Sequence, residues 1–115
     1  QSTIQSTIEN ALAGVSANYT IQVTDTEGFN FTGRYVVVTA QYDPTNYVAI
    51  SSTPNDVDLE NVSKEYTVLN AVEVGAMFQK LSENGTLVVE ILKGGVVVAS
   101  DTTTDPYGAV LVTAP

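Results

Sequence analysis

From Tyr19 onward the chain alternates apolar and polar residues with a period of two, in short runs separated by turn-forming residues. Tyr19, Ile21 and Val23 share one side of a predicted strand, with Thr20, Gln22 and Thr24 on the other. Asp25 to Gly28 closes it. The next strand runs from Phe31 to Tyr42, placing Val36, Val38 and Ala40 opposite Tyr35, Val37 and Thr39, and breaks at Asp43-Pro44. A short strand from Tyr47 to Ser51 presents Val48 and Ile50. Ser52 to Ser63 is the longest turn-rich stretch and is expected to be a loop crossing between sheets or a mobile surface feature. Glu65 to Leu69 returns to extended structure with Tyr66 and Val68 inward.

The block from Asn70 to Thr113 then reads as four consecutive strands. Asn84-Gly85 predicts a type I′ hairpin, because both residue types tolerate the positive φ that this turn demands. Its register would set Glu83 opposite Thr86, Phe78 opposite Ile91 and Gln79 opposite Glu90. One face would then hold Val74, Ala76, Phe78, Leu87, Val89 and Ile91, and a slip of one residue would bury Glu90. Gly94-Gly95 repeats the device, pairing Leu92 with Val97 and placing Val98 beside Ile91. Asp105-Pro106-Tyr107-Gly108 makes a third reversal. Seven to eight short strands at roughly ten-residue intervals predict an all-β fold, an antiparallel β-sandwich over residues 18–115.

Residues 1–17 follow a different period. Ile4, Ile8, Leu12 and Val15 recur at helical spacing, with Gly14 placed to end the helix. Read as a strand, Ile4 and Ile8 would also share a face, but the continuation to Leu12 and Val15 favours a short helical arm. Such an arm packs either on its own sandwich or on a neighbouring copy of the chain.

Composition narrows the chemistry. The 115 residues hold neither cysteine nor histidine, so no disulfide framework, thiolate site, histidine-based zinc site or histidine-dependent triad can form. Paired carboxylates are the remaining acid/base option, with Glu73 and Glu90 or Asp101 and Asp105 as candidates; exposed strand faces and turns account for them more simply. No enzymatic activity is expected. A net charge of −9, with only Arg34, Lys64, Lys80 and Lys93 positive, argues against nucleic acid and anionic membrane partners. No apolar run is long enough for a membrane span.

Asp56, Asp58 and Glu60 alternate oxygen ligands that could meet a calcium ion. The EF-hand pattern fails, however, since Asn61 and Thr67 stand where glycine and a bidentate glutamate are needed. Four N-x-S/T sequons begin at Asn18, Asn30, Asn61 and Asn84 and mark candidate glycosylation sites if the protein is exported. Six tyrosines are spread over many elements and read as core edge and rim rather than as a ligand platform.

The segments Gly85-Thr-Leu-Val-Val-Glu-Ile91, Gly95-Val-Val-Val98 and Tyr107-Gly-Ala-Val-Leu-Val112 carry a resemblance. Over residues 70–113 the chain resembles the exported immunoglobulin-like sandwich of mycobacterial small membrane proteins of the transport-accessory type. The resemblance implies an exported immunoglobulin-like domain. It transfers neither a transport role nor a functional residue, because that family usually carries a cysteine pair between late strands and an N-terminal anchor. Val89 stands near one such cysteine position here.

A chain rich in serine and threonine that opens on Gln1 is expected to be processed and exported, and to sit outside the cell or at its surface. The expected role is a structural subunit that assembles with copies of itself, into an oligomer or filament, through the arm (Ile4, Ile8, Leu12, Val15) and sheet edges. The alternative is a monomeric accessory module that binds a ligand or calcium.

Overall fold

In the computed structural model, residues 3–115 are described. A helix, α1 (Thr3–Val15), precedes eight strands: β1 (Ala17–Asp25), β2 (Asn30–Asp43), β3 (Tyr47–Asn61), β4 (Ser63–Ala71), β5 (Glu73–Lys80), β6 (Leu87–Lys93), β7 (Val96–Thr103) and β8 (Ala109–Ala114). They form two four-stranded antiparallel sheets, ordered β4-β1-β6-β7 and β3-β2-β5-β8. The expected all-β sandwich with an N-terminal helix is therefore present.

Alternation drives this arrangement. In β1, Tyr19, Ile21 and Val23 are buried; in β5, Val74, Ala76 and Phe78; in β6, Leu87, Val89 and Ile91; in β8, Val110, Val112 and Ala114. Each sheet thus turns one apolar face to the other. At the centre, the Phe31 and Phe78 rings meet edge-on at 6.0 Å, and Tyr66 from the opposite sheet stacks on Phe78 at 6.0 Å. Gly33 fits close beside them: a Cβ there would run into the Met77 carbonyl and the Phe78 ring.

Three sequence expectations fail on pairing. Asn84-Gly85 does not close a hairpin, because β5 and β6 lie in different sheets. Phe78 pairs with Gly33 and Val110, and Ile91 with Ile21 and Ala99. Gly85 does take a positive φ of 89°, but Asn84 does not, so the type I′ turn is absent. Residues 81–86 instead cross from one sheet to the other. Alternation states which side chains face inward; it does not state whether an inward neighbour lies beside a residue or across the core. For the same reason Glu73 and Gln79 share no face with Glu90.

The second failure is the expected loop from Ser52 to Ser63, since β3 stays paired with β2 as far as Asn61. Pro54 is tolerated because β3 is an edge strand, where a missing N–H need not break a ladder bond. The actual crossing is one residue long, at Val62, whose φ is 64°.

The Gly94-Gly95 hairpin forms as expected, both glycines having positive φ, with Leu92 opposite Val97. A register shift after that pair places Ala99, not Val98, opposite Ile91. Asp105 to Gly108 turns as expected, the Gly108 N–H donating to the Asp105 carbonyl at 3.0 Å, but the turn carries the chain between sheets.

Because Phe78 sits at the crossing of both sheets, Phe78→Ala is expected to cost roughly 3–5 kcal/mol. Urea unfolding followed by tyrosine fluorescence checks this, and a loss under 1 kcal/mol would place the core elsewhere.

Candidate functional site

α1 follows from spaced apolar residues and ends where the Ser16 N–H and hydroxyl both donate to the Leu12 carbonyl, at 3.0 and 2.8 Å. None of its described residues is buried. Ile8 and Leu12 are half-buried, whereas Ile4 and Val15 are 53% and 59% exposed. The helix packs lightly, mainly on β2 and β3, with a shallow groove between Leu12 and Ala13 on one side and Ala40, Tyr42 and Asn70 on the other. Asn18 fixes the junction below it: its side-chain oxygen accepts from the Asn70 N–H at 3.0 Å and its carbonyl accepts from the Gly94 N–H at 3.3 Å.

The sheets leave four edges, β4, β7, β3 and β8. β7 opens with three consecutive exposed valines, Val96, Val97 and Val98. Unpaired backbone beside apolar side chains is the condition under which an edge strand recruits another strand.

Asp56, Asp58 and Glu60 lie along β3 rather than in a loop, so successive carboxylates are separated by two extended residues, about 7 Å. Asp56 accepts from Arg34 Nε at 2.6 Å and Glu60 meets Lys64 Nζ at 3.6 Å. Both pairs are solvent-exposed and contribute little to stability. Among the described residues, no three acidic side chains converge on a point that could hold a metal ion. The structure does not bring this trio together.

Glu73 and Glu90 project from the outer faces of opposite sheets, and Asp101 and Asp105 are exposed on β7 and in its following turn. The four sequon asparagines are all exposed; Asn30 and Asn61 are cross-strand partners at one end of the sandwich, near the loop that holds Asn84, and Asn18 stands at the other end.

Two charged residues of structural importance escape the sequence reading. Lys80 is fully buried, its ammonium donating to the Gly85 carbonyl at 2.6 Å and the Thr104 carbonyl at 3.3 Å. It thereby ties together the two segments that cross between sheets after β5 and β7. Asp25 is 2% exposed; Oδ1 accepts from the Glu27 N–H at 2.9 Å while Oδ2 has no hydrogen-bond partner. The signal for Lys80 was present, since it continues the inward series Val74, Ala76, Phe78. Burial also raises the Tyr66 hydroxyl above its ordinary range near 10, with Glu60 and Tyr35 adding to the effect.

Comparison with protein-family models, with curated proteins and with solved structures finds no match.

Lys80→Ala removes a buried donor from two carbonyls and leaves a cavity, and is expected to lower stability by about 3 kcal/mol in urea unfolding; a neutral result would contradict its role as a tie. Tyr66→Phe removes a buried hydroxyl without a partner and is expected to be neutral or stabilising. With the folded pKa raised, the unfolded chain loses this proton first, so the wild-type protein loses stability as pH rises above about 10. The phenylalanine variant should lose less over the same alkaline range.

Proposed function

We propose that this chain is a non-enzymatic structural subunit, exported to the cell surface or beyond, that assembles with copies of itself through α1 and the sheet edges. The observation that carries the reading is that the sandwich completes its core from strand residues alone, while the apolar stripe of α1 stays partly exposed. Isolated helices of this length are marginal in water and gain stability by packing. A stripe that its own domain covers only in part therefore favours burial against other copies. Joining unlike surfaces, such a contact repeats from copy to copy and gives an open polymer unless the rotation between copies closes a ring.

The charge bears on conditions. At −9 per copy, neighbouring subunits repel, so assembly should strengthen as salt rises and screens that repulsion. Sequon glycosylation would belong to the same exported setting, with Asn18, Asn30, Asn61 and Asn84 all accessible.

Removing residues 1–16 is expected to abolish assembly, read by sedimentation velocity and negative-stain microscopy, while leaving the sandwich's cooperative unfolding in place. Assembly that persists in the shortened chain, or an intact chain that stays monomeric at high concentration and salt, would overturn the proposal. Millimolar calcium is expected to leave the melting temperature unchanged; a saturable rise would favour the ligand-binding alternative.

A further inference from the structure

α1 has a seat on its own molecule, and the two are poorly matched. β5 pairs with β2 only as far as Glu73 opposite Val38, yet β2 and β3 continue from Thr39 opposite Ser51 to Asp43 opposite Tyr47. These last rungs form a two-stranded ribbon with no third strand among the described residues, an arrangement of marginal stability by itself. Cross-strand pairs share a face, so Ala40 with Ile50 and Tyr42 with Val48 make one side of the ribbon apolar. α1 meets the ribbon where Leu12 lines a groove with Ala40 and Tyr42, and it leaves much of both partners uncovered. On the ribbon, Ile50 and Val48 are 63% and 38% exposed; on the helix, Ile4 and Val15 are 53% and 59% exposed.

The tether accounts for the mismatch. A single residue, Ser16, joins α1 to β1, and its N–H and hydroxyl both donate to the Leu12 carbonyl. The helix therefore lies where the first strand begins, not where its apolar residues best meet the ribbon. In length the two agree. The stripe from Ile4 to Val15 runs about 16 Å, and the ribbon from Thr39 to Asp43 runs about 14 Å. A helix arriving from another copy is free of this tether, because the two molecules move as separate bodies.

We propose that the ribbon of one copy is the acceptor for α1 of another, which lies along Ala40, Tyr42, Val48 and Ile50 in place of the acceptor's own helix. This contact rests on the structural-subunit reading and names the surface that receives the arm. The occupant follows from the seat: the same helix already packs on the same two strands within one chain. Exchange of an identical element between copies is a low-cost route to association, and short hinges invite it. The tethered helix competes as an intramolecular ligand at high effective concentration, and fuller apolar cover in the neighbour offsets that advantage. Each copy gives one helix and takes one.

Two full-length variants separate giving from taking. Leu12→Glu spoils the helix stripe and leaves the ribbon intact, whereas Ile50→Glu spoils the ribbon and leaves the helix intact. Neither residue belongs to the core, so the cooperative urea unfolding of the sandwich is expected to stay as it is in both. Each variant alone is expected to assemble about tenfold more weakly or worse in sedimentation velocity, the effect of losing one central contact. Mixed in equal amounts, they are expected to form a one-to-one dimer that grows no further, with the intact helix of one on the intact ribbon of the other. An Ile50→Glu chain that assembles like the unsubstituted one would overturn this acceptor and leave the subunit reading standing. Two weakened variants whose mixture stays monomeric would also overturn it, since helix and ribbon would then act on the same side of the contact. An unsubstituted chain that never assembles would remove both.

Discussion

The closure of two apolar sheet faces on one another governs this molecule. Phe31 and Phe78 from one sheet and Tyr66 from the other fill its centre, and Leu87, Val89, Ile91, Ile21 and Val23 complete the inner surface. Burial of apolar surface supplies the drive. Lys80 closes one end by satisfying carbonyls from both inter-sheet crossings, which explains how a lysine can be fully buried without a carboxylate in contact. Each crossing is then held by a charge-assisted bond that the core encloses.

Because the strands finish this core unaided, two parts of the chain are surplus to it. α1 rests lightly on β2 and β3, and the outer end of the β2–β3 ribbon has no third strand. Both carry apolar side chains in partial contact with water. Exposed apolar side chains are ordinary on a folded protein, and they also occur here on β7, β8 and several connections.

Fold class was legible because period-two alternation is written directly into the sequence, and so was α1, from Ile4, Ile8, Leu12 and Val15. Partnership between strands was not. A hairpin and a stacked pair place Phe78 and Ile91 toward the same apolar interior, so the pattern is silent on which one forms. Only the length of connection and the single positive φ at Gly85 distinguish them. The acidic run around Asp56 suggested a loop, yet continuous pairing with β2 keeps it a strand, and an edge position excuses Pro54. The groove on the outer side of the second sheet gathers residues far apart in the chain, Arg34, Asp56, Met77 and Ala109 among them, which no local pattern joins.

On the proposed assembly, α1 finds its burial in a neighbour rather than in its own domain. Amide hydrogen exchange of residues 3–15, compared between dilute monomer and assembled material, tests it most directly. The claim predicts amides that exchange freely in the monomer and become protected on assembly, while strand amides of the core keep the same protection in both. Equal protection of α1 in the dilute monomer would contradict it.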